Sequence, residues 1–306
     1  MKLVSDFDGI WTDQDKEAKY VHNYIVKKLT QVTKFSVEEI GQLIAECRKE
    51  MDKTPYDYGW MNNGRISAYY HEDPFGDNNA LFNYIHRSAN ANSFSVFRQN
   101  LNEIKKGIIA GGYESAEKFS NVCFTESTKT FKESGKLSPH PHGKATLEKV
   151  LKKGVQVVVA SNSTTDKIEH LFLKMGNQPT NERSFKPGNV HARGNSLKFV
   201  ITPEFDLLPE TMKINERYKV QLRRKSYYKV IEDEIPDYVI GDVFSLDIAL
   251  PLYLRLNDKR FEKLKVIQKV QEYTPAWVKD FLSREEFAGI TFMIDDISEL
   301  PDVLKW

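Results

Sequence analysis

Lys2-Leu3-Val4-Ser5-Asp6-Phe7-Asp8-Gly9 opens the chain with a short apolar run that ends in two acids and a glycine. The run reads as a β-strand. Side chains alternate along a strand, so Asp6 and Asp8 point the same way, and Gly9 lets the backbone turn directly after them. Two carboxylates are thereby crowded into one small site. On its own an Asp-x-Asp-Gly is most often a solvated turn, since both residue types favour turns. What the pair means depends on whether other strands bring polar ends beside it.

Beyond Asp13 the pattern is helical for more than a hundred residues. Tyr20, Val21, Tyr24, Ile25, Leu29 and Val32 recur at helical spacing. Ser36 with Glu39 forms a capping box ahead of the apolar face Val37, Ile40, Leu43, Ile44 and Cys47. Further helices are expected over 79–88, 93–110 and 114–133. The aromatic, glycine-punctuated stretch from Tyr56 to His71 reads as a long loop. Residues 14–138 are therefore expected to form an all-helical insertion.

Pro139-His140-Pro141-His142-Gly143 closes that block, because two prolines in three residues cannot continue a helix. Its histidines read as part of a proline-stiffened hinge, since two histidines without a third ligand rarely hold a metal. Strand and helix then alternate. The valine run from Val155 to Ala160 fits a strand buried on both faces of a parallel sheet, and a helix follows from Thr165 to Met175. Further strands are expected at Asp237–Ile240 and Ile290–Ile294. Such alternation predicts a doubly wound, Rossmann-like parallel α/β sheet. The N-terminal strand has no companion of its own and must join it. The expected division is a discontinuous core, 1–13 and 139–306, interrupted by 14–138.

Ligands of such sheets bind at the carboxyl ends of strands, near the point where strand order reverses. Three strand ends carry polar residues that would meet there. They are Asp6 with Asp8, Ser161-Asn162-Ser163, and Gly241-Asp242 with Asp247. Taken singly, the serines are equally read as caps of the following helix, and each acid pair as the lining of a turn. Together they place up to four like charges in one crevice, which cannot stay ionised without a cation or shared protons. An all-oxygen set suits a hard ion, and Mg²⁺ takes one or two carboxylates plus substrate phosphate and water. Lys225, at the head of the helical stretch Ser226–Asp233, is the expected lysine to balance an anionic substrate.

The rest of the composition narrows the classes. With 306 residues, 40% of them hydrophobic, the chain can bury ordinary cores, and its net charge of +1 gives no field to recruit nucleic acid or an anionic membrane. No apolar run approaches the roughly 18 residues needed to span a bilayer. Met1 and Lys2 lead straight into the first strand, so no secretory signal is expected. Cys47 and Cys123 fall in helical segments without metal-ligand spacing, which fits a reducing cytoplasm.

With these elements in order, the chain resembles the haloacid dehalogenase-like hydrolase superfamily. Asp6-Phe7-Asp8-Gly9 matches its first motif, Val157 through Ser161-Asn162 the second, Lys225 the third, and Gly241-Asp242 with Asp247 the fourth. Phe292 through Pro301 resembles the last strand and closing turn of that fold. The likeness covers the core and not residues 14–138, which stand where that family inserts a cap domain. Ile10 occupies a position where threonine or valine is usual. The long stretch 177–222 contains Lys186, Lys198 and Lys213, and Lys229 lies one turn beyond Lys225, so other lysines remain candidates for the third motif.

The resemblance implies Asp6 as nucleophile, giving an aspartyl-phosphate, and Asp8 as the acid that protonates the leaving alkoxide and then activates water. Ser161, Asn162 and Lys225 would hold phosphate oxygens. Asp6, the Asp8 carbonyl, Asp242 and Asp247 would bind Mg²⁺. Members that release halide from carbon lack the second aspartate, so the resemblance implies a phosphatase for a small phosphorylated metabolite. A phosphomutase or other phosphotransferase, or a member that binds a phosphorylated ligand or partner without turnover, remain as alternatives. Arg65 and His71 are candidates to read a substrate anion from the cap, while the aromatics around them are expected to pack inside it. The sequence leaves the substrate and the oligomeric state open.

Overall fold

The structure, a computed structural model, describes residues 1–89, 95–180 and 188–305. Its contacts divide into two units: Met1–Gln14, Asn62–Ala68 and Leu137–Trp306 in one, Asp15–Met61 and Tyr69–Lys136 in the other. In chain order, β1 (Lys2–Ser5) precedes α1 (Gln14–Val32), α2 (Val37–Met51), β2 (Gly59–Asn62), β3 (Arg65–Tyr69), α3 (Pro74–Ala89), α4 (Val96–Ala110) and α5 (Ala116–Glu133). There follow α6 (Gly143–Lys152), β4 (Gln156–Ala160), α7 (Thr165–Lys174), β5 (Val190–Arg193), β6 (Thr211–Lys213) and β7 (Lys219–Gln221). The chain ends with α8 (Lys225–Glu234), β8 (Tyr238–Gly241), α9 (Ala249–Asn257), β9 (Lys265–Lys269), α10 (Ala276–Leu282), β10 (Thr291–Ile294) and α11 (Leu300–Val303).

The main sheet is parallel, in the order β10-β9-β8-β1-β4-β5. Val4 pairs in register with Val158 on one side and Val239 on the other, so β1 is central and buried on both faces. Leu3, Val4 and Val157–Val159 are all buried, and each contributes about 1.5–3 kcal/mol relative to exposure. The chain winds outward from β1 through β4 to β5, then returns to β8 on the opposite side. That reversal makes the carboxyl end of β1 the switch point of a doubly wound sheet. Directly after it, buried Trp11 donates its indole N–H to Ser5 Oγ at 2.8 Å and packs on Phe172, which fixes the turn bearing the aspartates.

The second unit is built on helices. Val21, Ile25, Leu29, Ile40, Leu43, Leu81, Ile85, Leu101, Ile104 and Phe119 form its core, and the α2 capping box at Ser36 and Glu39 is present in both directions. Cys47 and Cys123 are buried in that core as free thiols, and burial pushes both up to about 12, which leaves them unreactive near neutrality. Among the described residues no helix is long and apolar enough to cross a membrane.

The block 14–138 is not all helical, and the stretch from Tyr56 to His71 is not a long loop. It contains the paired strands β2 and β3. Asn63 and Gly64 between them both take positive φ, +49° and +71°, as a two-residue hairpin turn requires. The local Asn-Gly signal outweighed the aromatic and glycine content that suggested irregular chain. The hairpin tip, Asn62–Ala68, belongs to the sheet-containing unit. Asn62 Oδ1 accepts from Ile201 N at 2.8 Å, Asn63 Nδ2 donates to Ile201 O at 2.8 Å, and Ser67 Oγ donates to Phe199 O at 2.7 Å.

Candidate functional site

Parallel register sets the ends of β1, β4 and β8 side by side, with Ser5 opposite both Val159 and Ile240. The residues one step beyond therefore converge. Carboxylate oxygens of Asp6, Asp242 and Asp247 lie within 4.8 Å of one another. Asp247 reaches the group from a π-helical turn, Phe244–Ile248, a distortion that often marks functional positions. Close approach depends on two glycines. A Cβ on Gly9, whose φ is +73°, would stand 2.1 Å from Asp242 Oδ2, and one on Gly241 would stand 2.2 Å from Asp247 Cβ.

The lysine at this centre is Lys198. Its ammonium donates at 2.5 Å to Asp6 Oδ1 and at 2.5 Å to Asp247 Oδ1, and the residue is 2% exposed. Lys225, the lysine expected here, is instead exposed on the first turn of α8 and forms no ion pair with these carboxylates. Lys213 and Lys229 pair with surface acids, Glu216 and Asp233, and Lys186 lies outside the described residues. Lys198 sits in an irregular segment in which Asn195 and Leu197 both take positive φ. Nothing in its local pattern marks it.

Tertiary straps hold that segment. Ser196 N donates to Ser161 O at 2.8 Å and Lys198 N to Asn162 Oδ1 at 2.7 Å, so the Asn162 side-chain oxygen is engaged in placing the lysine. Arg224, 0% exposed, donates from NH1 to Lys198 O at 2.6 Å and Ser67 Oγ at 2.8 Å, and from NH2 to Ser67 O at 2.5 Å. One guanidinium thus ties the lysine loop to the hairpin tip.

Asp8 is not one of the three clustered carboxylates, though its charge still acts on Asp6. Ser163 Oγ donates to its Oδ2 at 2.6 Å and Lys167 Nζ to its Oδ1 at 3.0 Å. Ser163 therefore holds Asp8 and does not cap α7, whose N-cap is Thr164. Ser161 is buried, and its Oγ accepts from Ser163 N at 3.0 Å, which leaves its own O–H to donate elsewhere. On the other flank, Tyr273 donates to Asp242 Oδ2 at 2.5 Å and lies 3.0 Å from Gln14 Oε1, while Gln271 Nε2 donates to Gly9 O at 2.9 Å. Lys198 was one of several lysines the sequence left open for this role; Lys167, Tyr273, Gln14 and Arg224 carried no local signal that pointed to the site.

The electrostatics follow from this crowding. Burial, then the Asp247 charge, raises Asp6 from 3.8 to about 7 against the opposing pull of Lys198. Burial alone would lower Lys198, but Asp247 and Asp6 outweigh it and hold the ammonium charged. Burial likewise raises Tyr227, whose hydroxyl donates to Asp247 O at 2.8 Å. Two of the three carboxylates, Asp6 and Asp247, thus share one ammonium. An all-oxygen, net-negative group of this kind fits a hard divalent cation. Asp6 and Asp242 are the better placed to hold one, because Asp247 spends Oδ1 on Lys198 and accepts from Val243 N on Oδ2 at 3.1 Å.

The fold and this centre define a doubly wound α/β domain with a buried acidic site at its switch point. No protein-family model matches the chain, and no curated protein does. Among solved structures it is similar to a protein from Lactobacillus delbrueckii subsp. bulgaricus assigned as a phosphoglycolate phosphatase. The identity is 15%, the TM-score 0.44, and the match covers 100% of this chain and 98% of that one. It is also similar to CbbY from Rhodobacter sphaeroides in complex with phosphate, at 13% identity and TM-score 0.41, over 98% of this chain and 95% of that one. A third is 2-haloacid dehalogenase from Pseudomonas syringae pv. Tomato, at 12% identity and TM-score 0.38, over 99% and 97%. These neighbours are haloacid dehalogenase-family proteins, and likenesses this remote carry no functional weight by themselves.

Proposed function

We propose that the chain is a haloacid dehalogenase-like phosphomonoester hydrolase that uses Mg²⁺ and acts on a small phosphorylated metabolite. The pairing of Lys198 with both Asp6 and Asp247, beside a separately held Asp8, carries this proposal. Asp6 and Asp8 occupy one strand end but meet different partners, and that difference supports giving them different tasks. A carboxylate oxygen of Asp6 attacks phosphorus as the bond to the ester oxygen breaks, and Asp8 gives the departing alkoxide its proton. Asp8 then takes a proton from water, which attacks phosphorus and releases the Asp6 carboxylate with inorganic phosphate.

Lys198 takes the part that Lys225 was expected to play. Its ammonium, with the Ser161 hydroxyl, faces charge that builds on the equatorial oxygens. Ser163 and Lys167 keep Asp8 aimed. Mg²⁺, held by Asp6, Asp242 and the Asp8 main-chain carbonyl, would screen the nucleophile from the phosphate it attacks. Asp15–Met61 and Tyr69–Lys136, a separate unit, would serve as the cap domain, which in such enzymes excludes water and selects substrate.

The test is phosphate release from a panel of phosphomonoesters, with and without EDTA, by the wild type, Asp6→Asn, Lys198→Met and Lys225→Met. Turnover is expected for the wild type and Lys225→Met only, and only with metal. Hydrolysis that survives Asp6→Asn or ignores EDTA overturns the mechanism. Transfer to a sugar phosphate in place of water would identify a phosphotransferase.

A further inference from the structure

His140, His142 and Asp296 take no part in the reaction proposed above. The histidines lie between the bridge of Thr12 with Pro139 and the start of α6, and Asp296 follows β10. The sequence offered two histidines without a third ligand; the sheet topology supplies one from more than 150 residues away. His142 Nδ1 is 2.8 Å from Asp296 Oδ1, and His140 Nε2 is 3.8 Å from Asp296 Oδ2. One donor atom of each residue lies within 4.8 Å of the other two.

These separations match the needs of a small tetrahedral ion. With bonds of about 2.0–2.1 Å, such an ion sets its donors about 3.3–3.4 Å apart, and with His142 Nδ1 2.8 Å from Asp296 Oδ1 and all three donors within 4.8 Å of one another, modest side-chain shifts reach that span. The backbone beneath the donors is anchored. His140 N donates to Trp11 O at 2.8 Å and Gly143 N to His140 O at 2.8 Å. Asp296 is the N-cap of a reciprocal capping box, its Oδ1 accepting from Ser298 N at 2.8 Å and its N–H donating to Glu299 Oε1 at 2.8 Å. Asp13 and Lys269 also act on His140, so two carboxylates and one ammonium surround it. His140 Nδ1 accepts a long 3.3 Å contact from His142 N; ligation through Nε2 moves the ring hydrogen to Nδ1 and gives that contact up.

We propose that His140, His142 and Asp296 form a second metal site, for a borderline transition ion such as Zn²⁺, with water as the fourth ligand. Imidazole nitrogens select such an ion over Mg²⁺, which separates this site chemically from the all-carboxylate centre. It is separate in the fold as well. The two groups have no residue in common, and each draws its donors from different strand ends and loops. His142 is 58% exposed on its side chain, which gives the ion an open path from solvent. Once bound, the ion ties the segment ahead of α6 to the turn after β10.

The experiment is titration of the chelator-treated full chain with Co²⁺, read by its visible ligand-field absorption, followed by displacement with Zn²⁺. The wild type is expected to develop a tetrahedral spectrum at a single equivalent and to lose it to Zn²⁺. His142→Ala, on an exposed side chain, and the isosteric Asp296→Asn should each weaken binding at least about tenfold. Asp242→Asn should leave the spectrum unchanged. The proposal is overturned if no tetrahedral spectrum forms, if it persists in both His142→Ala and Asp296→Asn, or if it is lost in Asp242→Asn.

Discussion

Replacing Lys198 with methionine removes the ammonium that lies 2.5 Å from both Asp6 and Asp247 while keeping most of the side-chain volume. Solvent cannot substitute for it. Lys198 and Asp247 are each 2% exposed on their side chains and Asp6 11%, so two carboxylates are left close together in a poorly hydrated pocket. Breaking a buried pair by deleting one partner costs about 3–5 kcal/mol. The loss should depend on pH, because Asp6 already stands near 7 with the lysine in place and rises further without it. At pH 5 Asp6 carries a proton that relieves the repulsion; because the group stands above about 7 once the lysine is gone, that relief fades only in the alkaline range, so the comparison is pH 5 against a pH well above 8. Urea unfolding of wild type and Lys198→Met at the two pH values measures this, with Lys225→Met as comparison, for which an exposed substitution predicts a change within about 0.5 kcal/mol. Turnover should fall at least about 10²-fold in Lys198→Met, as for a lost transition-state donor. Equal stability of Lys198→Met and Lys225→Met, or a larger effect of the latter, would refute the assignment.

Three further outcomes are expected. Gly9→Ala places a methyl group 2.1 Å from Asp242 Oδ2 at a φ of +73°, and should cost about 1–3 kcal/mol by thermal unfolding and lower metal affinity by calorimetry. The metal-free protein should be most stable on the acidic side of this group: Asp6 binds its proton more tightly folded than unfolded, so stability fully present below about pH 4 is lost as pH rises through 7. The loss is about 4 kcal/mol at most, and Asp6→Asn should flatten that part of the pH–stability profile. Arg224→Met strands the Ser67 and Lys198 carbonyls and should cost about 3–5 kcal/mol in urea unfolding, with little rescue by Arg224→Lys, because an ammonium cannot reproduce the fork of the guanidinium.

Much of the core was legible because its determinants are local. The period of two along β1, the glycine after Asp8 and the unbroken valines of β4 each report strand and burial without help from distant residues. The convergence of Asp6, Asp242 and Asp247 followed from those strands and the general geometry of parallel sheets. Lys198 could not be singled out from the other candidate lysines, for the opposite reason. Its position is set by Ser161, Asn162 and Arg224, residues far away in sequence, and its own segment has no period to read. Lys225 looked better placed only because it starts a helix near Asp242 in sequence. The hairpin at Asn63-Gly64 is a different failure: the signal was local and present, but the aromatic residues around it drew the reading toward a loop. Asp296 shows what sequence spacing cannot give, since only the order of the sheet brings it to His140 and His142.

The central claim is covalent chemistry at Asp6. Its most direct test is acid-quenched single turnover with a phosphomonoester labelled in the phosphoryl group, followed by peptide mapping of the protein. The account predicts a transient, Mg²⁺-dependent label on the peptide carrying Asp6, absent in Asp6→Asn. Turnover that proceeds with no label on Asp6, or with label on another residue, would contradict it.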